Sequence, residues 1–257
     1  MAIPQTYKQY GQIPFFYANG LGISNNATTP NTKLDVEAGT MLDSTQTFQL
    51  INPASVTINA ANTGLNGIDT GSFAASKVYA VHLIADPQTN NPTGAMISLS
   101  ATAPLLPFGY SAFALIGYAT SDSSVHFLKG YWTAGNGSSR LFMYDAPQAT
   151  AVTAGASTTY ANVNLTGFVP LVNNLPVWVT TNYTPSAASQ TLNLQPGAAT
   201  GDAIAIGSQV TSVIVKSQSL LLAQTVAIST VPSPTVNYKL TSGGAVAVLV
   251  NGYQFFI

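Results

Sequence analysis

Ser76–Asp86 reads SKVYAVHLIAD, and it is apolar on both of the faces that an extended chain presents. Val78, Ala80, His82 and Ile84 fall on one side, and Tyr79, Val81, Leu83 and Ala85 on the other. The run is rich in β-branched and aromatic residues. It is bounded by Gly67-Ile-Asp-Thr-Gly71-Ser upstream and by Pro87 and the turn-rich Gln88–Gly94 downstream. Length and punctuation predict a strand rather than a helix. A strand with no polar face must be covered on both sides, in the middle of a sandwich or beneath a neighbouring subunit.

Other stretches carry the same period of two. Leu34, Val36 and Ala38 alternate with Lys33, Asp35 and Glu37, which predicts a half-buried strand. Strands are also predicted over Thr47–Ile51, Ser55–Asn59, Ala95–Ala101, Phe113–Ala119, Val125–Thr133 and Arg140–Asp145. In the second half, Ala161, Val163 and Leu165 oppose Tyr160, Asn162 and Asn164, while Leu192 and Leu194 oppose Thr191, Asn193 and Gln195. Asn237–Leu240 and Ala245–Ile257 close the chain around the turn Ser242-Gly-Gly244. No helix-length period of 3.6 intervenes. The expected fold is all-β, with antiparallel β-sandwich or jelly-roll-like domains, two in tandem. Pro147–Ala156 (PQATAVTAGA) has the composition of a linker, giving domains over 30–146 and 157–257.

Residues 1–29 show neither period. Tyr7, Tyr10, Phe15, Phe16 and Tyr17 are interleaved with Gln, Gly and Pro. An attachment arm that lays its aromatic rings on another protein has this composition. So has a frayed terminus with its rings tucked onto the first domain.

Charge changes the picture. Hydrophobic residues make up 46% of the 257-residue chain but charged residues only 6%, against roughly a quarter in ordinary soluble domains. Seven Lys and Arg against eight Asp and Glu give a net charge of −1. No basic patch exists for a phosphate backbone, so nucleic acid is not an expected partner. Few charges also means few gatekeepers on strand edges. Edges must then be closed within the fold or covered by another copy, which points to an oligomer. There is no cysteine, hence neither disulfide nor thiolate metal site. MAIPQTYKQY lacks the n- and h-regions of a signal peptide, so the sequons at Asn26, Asn136, Asn164 and Asn182 carry no weight. Pro104, Pro107 and Gly109 interrupt Ala103–Ala119, the longest apolar stretch, well short of the about 20 residues a bilayer requires. It reads as two strands around a turn, and membrane insertion is not expected.

Candidate chemistry is sparse. Two histidines, His82 and His126, limit acid–base catalysis, and the G-x-S-x-G elbow of a serine hydrolase is absent. His82 shares a face with Val78 and Ile84, where a ring bonded to a core neighbour is the commoner role. Asp35, Glu37 and Asp43 form the densest carboxylate group, open to calcium or, for Asp43-Ser44-Thr45, to a side-chain-capped turn. Glu37 is the only glutamate, which leaves a glycosidase pair unassigned. Tyr131, Trp132 and Trp178 are open to sugar stacking or to core packing. No cofactor motif and no metal motif is present.

The order Gly67-x-Asp69-Thr70-Gly71-Ser72, a spacer, then Val78-Tyr79-Ala80-Val81-His82-Leu83-Ile84 resembles a group of bacteriophage virion proteins of the tail-fibre kind. In that group a Gly-Leu-Asp-Thr-Gly segment precedes a strand reading Trp-Tyr-His-Val. Asp43-Ser44-Thr45, Ser98–Ser100 with Ala101-Thr-Ala-Pro104, Pro107-x-Gly109-Tyr110, Tyr183-Thr184-Pro185 and Tyr238-x-Leu240-Thr241-Ser242-Gly243 fit the same pattern. Val78 stands where the group often has Trp, and His82 comes later. The resemblance implies a structural virion protein without enzyme activity or cofactor. It would be made in the cytoplasm of a host bacterium and assembled with other virion proteins at a tail fibre, tail tip or capsid-bound appendage. It also implies a homotrimer. The second apolar face of the organising strand, Tyr79, Val81 and Leu83, is the expected subunit interface. A receptor-binding module for host surface glycan is the alternative, and a β-sandwich hydrolase ranks behind both.

Overall fold

The computed structural model describes residues 7–9, 18–89, 91–132, 139–150, 152–172, 175–184, 186, 191–196, 204–207, 218–226, 234–241 and 243–256. Among them the regular elements are strands with no helix, and antiparallel ladders join them. The protein is an all-β, antiparallel β-sandwich. It divides into two compact units, 1–142 with 256–257, and 143–255.

The first unit contains β1 (Tyr7–Gln9), β2 (Ala18–Gly20), β3 (Ile23–Asn25), β4 (Lys33–Val36), β5 (Gly39–Leu42), β6 (Phe48–Asn52) and β7 (Val56–Asn59). These are followed by β8 (Val78–Ala85), β9 (Gly94–Ser98), β10 (Ala112–Thr120) and β11 (Gly130–Trp132). Within this unit the ladders run in the orders β1-β6-β5-β2, β10-β8-β9 and β11-β3-β4-β7.

The organising stretch is β8, the middle strand of its sheet, and every residue from Tyr79 to Asp86 is buried. Both faces are covered by the chain itself. Gly117 of β10 stands opposite Val81, and a Cβ there would lie 2.5 Å from Ile23 Cδ1 and 3.5 Å from the Trp132 ring. Directly opposed residues share a face, so β3 and β11 lie over the side carrying Tyr79, Val81 and Leu83. Phe73 adds a ring 5.3 Å from that of Tyr79 and 4.5 Å from that of Phe127. Tyr79, Val81 and Leu83, expected at a subunit interface, therefore have no exposed surface to offer. The period of two correctly demands a cover, and that cover is a further layer of the same chain.

Arg140 ties the start of this unit to its end. It lies on β12 (Ser139–Ala149) and is fully buried, with no carboxylate within ion-pairing distance among the described residues. Nη1 donates to the Leu21 carbonyl at 2.6 Å and Nη2 to the Gly20 carbonyl at 2.9 Å, while Nε has no partner among the described residues. Burial pulls its pKa down to about 10, so the group remains a cation at neutral pH. The carbonyls it holds belong to a tight bend, with φ of 68° at Gly20 and 59° at Leu21. A side chain at Gly20 would sit 2.4 Å from the Ala38 carbonyl oxygen.

Three differences from the sequence expectations have local causes. Residues 18–25, expected in a separate arm, form β2 and β3 inside the unit, with Leu21 and Ile23 buried. Of the aromatic set, Tyr7 lies on β1 opposite Leu50, whereas Tyr10, Phe15, Phe16 and Tyr17 lie outside the described residues. The strand expected over Val125–Thr133 shrinks to β11, because Asp122 Oδ1 accepts from the Ser124 and His126 amides and Val125 takes a φ of 62°. Finally, 101–111 is loop with no strand, since Pro104 and Pro107 remove amide donors there.

The second unit contains β13 (Ala161–Asn164), β14 (Leu175–Thr184), β15 (Thr191–Pro196), β16 (Ile204–Gly207), β17 (Gln218–Val226), β18 (Thr235–Leu240) and β19 (Ala245–Phe256). Its ladders run β17-β14-β19 and β13-β18-β15-β16. The alternation holds well. Val163, Leu165, Leu192 and Leu194 have no exposed surface, while Asn162 and Asn164 face out. The division between the units falls inside β12 rather than in Pro147–Ala156. That segment is tied to β19. The Thr150 hydroxyl donates to the Val248 carbonyl at 2.8 Å, and Gly155 and Val246 exchange amide bonds of 2.8 and 2.9 Å. Its small polar residues have the composition of a linker, yet their backbone is paired.

Candidate functional site

Gly67–Ser72, the segment on which the resemblance rests, behaves as a one-residue strand beside β9. Ile68 bridges Ile97 in parallel, the Ile97 amide donates to Gly67, and the Asp69 amide donates back to Ile97, each at 2.9 Å. Gly67 is required by space, because a Cβ would stand 2.3 Å from the Asn62 carbonyl oxygen. Asp69 then collects the surroundings. Its Oδ2 accepts from the Ser98 hydroxyl at 2.6 Å and from the Leu105 amide at 3.2 Å, and its Oδ1 accepts from the Thr70 amide at 2.7 Å. Ser98 Oγ in turn accepts from the Ser100 amide at 2.9 Å.

His82 closes the knot from below. Its Nε2 lies 2.9 Å from the Ser100 carbonyl, which can only accept, so Nε2 carries the proton. Nδ1 is buried without a partner among the described residues, and Phe113 packs edge-on at 5.5 Å between centroids. Burial pushes the His82 pKa below its ordinary value, against the opposing pull of the Ser100 carbonyl and the Asp69 charge. Ser, His and Asp thus meet here with the wrong connections for nucleophilic catalysis. The Ser98 hydroxyl points its proton at Asp69, and the one engaged nitrogen of His82 faces a backbone carbonyl. What the knot does is hold residues 98–105 against β8.

A pH test follows from that ring. The unfolded chain takes up a proton near pH 6.5 and the folded chain only at lower pH. Stability is therefore full above about 6.5 and falls as the pH drops toward the folded value, by at most about 1.4 kcal/mol per pH unit. Urea unfolding at pH 7, 6 and 5 should show this slope in the wild type and lose most of it in His82→Gln. An identical slope in both would assign the titration to another group.

Among the described residues of the unit, the loop held by Asp69 carries the most exposed large apolar side chains. Leu99 and Leu105 are 63% and 62% exposed, and Phe108 is fully so. Phe108 occupies the tip of a tight turn in which the Tyr110 amide donates to the Pro107 carbonyl at 3.1 Å and Gly109 has a φ of 83°, the type II geometry. The turn is braced on both flanks. Asn91 Nδ2 donates to the Gly109 carbonyl at 2.7 Å and the Tyr110 hydroxyl to the Pro92 carbonyl at 3.0 Å. Leu65, also exposed, leans on Gly94, where a Cβ would stand 2.2 Å from its Cδ1, and its neighbour Gly64 lies beside Pro107. Between Asp86 and Asp122 the sequence contains no Lys, Arg, Asp or Glu.

No protein-family model matches the chain, and no curated protein matches it in sequence. Its chemistry rests on its own residues.

The remaining sequence candidates are scattered. Asp35 accepts from Asn26 Nδ2 at 3.0 and 2.9 Å and from the Thr57 hydroxyl at 2.6 Å. Asp43 caps its own turn, accepting from the amides of Thr45, Thr47 and Phe48. Glu37 is exposed, and among the described residues no three acidic or histidine side chains are grouped to hold a metal. Trp132 is buried against Phe142, with ring centroids 4.7 Å apart, and Trp178 is half-buried. Tyr131 is exposed. The resemblance draws on Ser98–Ser100, Ala101–Pro104 and Pro107-x-Gly109-Tyr110 along the Leu99–Tyr110 loop but gives none of them a role. The loop's own signal is an uncharged apolar run that Pro and Gly keep out of any strand.

Proposed function

We propose that this protein is a non-enzymatic structural component of a bacteriophage virion, placed at a tail fibre, tail tip or capsid-bound appendage. The observation that carries this reading is the use made of Gly67–Ser72. The segment that carries the resemblance to fibre-like virion proteins is spent on scaffolding, with the Asp69 hydrogen bonds going to the Thr70 and Leu105 amides and to the Ser98 hydroxyl. A rigid all-β chain with 6% charged residues is consistent with a role in assembly. Its partners are other virion proteins and further copies of itself, in a homotrimer.

Gold-labelled antibody against the chain, applied to purified particles and viewed in negative stain, should mark one appendage at a fixed site. Peptide mass spectrometry of the same particles should recover the chain. Particles that carry no label and yield no peptide would end the reading.

A further inference from the structure

We propose that His82 is an acid-sensitive latch: on taking up a second proton its ring lets go of Ser100 and frees residues 99–103, while the strands of the first unit stay paired. This inference is independent of the virion reading.

The segment is held differently from the strands around it. β8 is laddered to β10 on one edge and to β9 on the other. Among the described residues, by contrast, no backbone-to-backbone hydrogen bond involves residues 99–103, and none of the five is buried. Both ends are anchored on Asp69, through the Ser98 hydroxyl at 2.6 Å and the Leu105 amide at 3.2 Å. Asp69 is itself fixed, since its amide donates to the Ile97 carbonyl. Between these anchors the Ser100 amide donates to Ser98 Oγ and the Ala103 amide to Ser100 Oγ, which are local bonds. The bond that ties the middle of the segment to a strand is the one from His82 Nε2 to the Ser100 carbonyl, at 2.9 Å. A stretch with so few buried contacts belongs to the low-stability end of a fold, where local opening occurs without global unfolding.

The ring has room for one proton and not for two. Nε2 already carries one toward Ser100, and Nδ1 is buried with no acceptor among the described residues. Met96 and Leu115 stand opposite His82 on the neighbouring strands, and Phe113 packs edge-on against it. Among the described residues the charge acting on the ring is that of Asp69, whose oxygens are engaged by Ser98, Leu105 and Thr70. A second N–H would be a buried donor on a buried cation, without a partner. To reach water Nδ1 must turn, and turning breaks the bond to Ser100. The apolar strand residues block that movement on their side, whereas residues 99–103 can yield.

The direction of the pH effect follows. In the open form the ring meets water and takes up its proton near pH 6.5. In the closed form it does so at lower pH, because burial outweighs the pull of the Ser100 carbonyl and of Asp69. The open form binds more protons, so its population rises as the pH falls below about 6.5, by at most about tenfold per pH unit.

The test is amide hydrogen exchange of the full chain between pH 7 and 5, read by mass spectrometry and corrected for the intrinsic effect of pH. Fragments covering residues 99–103 should exchange about three- to tenfold faster at pH 5 than at pH 6.5, and fragments covering 79–85 should not change. His82→Gln retains an amide donor for Ser100 and has nothing to titrate, so its profile should be flat. Exchange of the ring C–H between the two nitrogens titrates His82 and His126 separately in the wild type, so the result does not depend on the variant folding. The His82 midpoint should coincide with the loosening of 99–103. Constant exchange at 99–103, equal acceleration at 79–85, the same acceleration in a folded His82→Gln, or a His82 midpoint away from the loosening would each overturn the latch.

Discussion

Val81→Asp is expected to unfold the first unit rather than to separate subunits. Val81 has no exposed surface and stands opposite Gly117, beneath Ile23 and Trp132. A carboxylate there would lose its water and find no free counter-charge, because Arg140, the buried cation of this unit, is already committed to the Gly20 and Leu21 carbonyls. The cost is several kcal/mol, on the order of 3–5, a large share of the stability of a domain of this size. Circular dichroism should show loss of the native signal at neutral pH, with partial recovery on acidification as the carboxyl protonates. A folded monomer would mean that Val81 lies at an interface after all.

The second large effect is expected at Arg140. Arg140→Ala would leave the Gly20 and Leu21 carbonyls without these donors and a cavity where the side chain ran. One buried and one half-buried acceptor, the first at about 1–3 kcal/mol and the second at less, with the cavity added, put the loss on the order of 3–5 kcal/mol. Arg140→Met should cost clearly less, since it keeps the stem volume and removes a buried cation. Chemical denaturation of the two variants separates these contributions. Equal losses would show that filling the space and removing the charge bring no relief.

These two positions also show where sequence reading succeeds and where it stops. The strand at β8 is legible because both its faces are apolar, and so is the need for cover. The identity of the cover is not, because a period of two says that a face is buried and never by what. β2 and β3 are three residues each, interrupted by glycine and asparagine, too short to display any period. Arg140 sits among alternating residues like an outward-facing charge, and only the bend at Gly20–Leu21 reveals why it turns inward. Asp69 is conspicuous as part of a turn motif. Its hold on Leu105 spans 36 positions and has no local signature.

The hold of Arg140 on the start of the chain has a consequence for biosynthesis. Its two hydrogen bonds span 119 and 120 positions. The Gly130 amide likewise reaches Asn25 across 105 positions. On a ribosome adding about 5–20 residues per second, β2 and β3 wait roughly 6–24 seconds for these partners to be made. Through that interval Leu21, Ile23 and the edge of β3 that later receives β11 stand open, with almost no charge to keep neighbouring nascent chains apart. Long-range closure of this kind is slow even once the partners exist. The nascent chain is therefore most exposed to aggregation before residue 140 emerges, and its yield in cells depends on how well a chaperone shelters β2 and β3 until then.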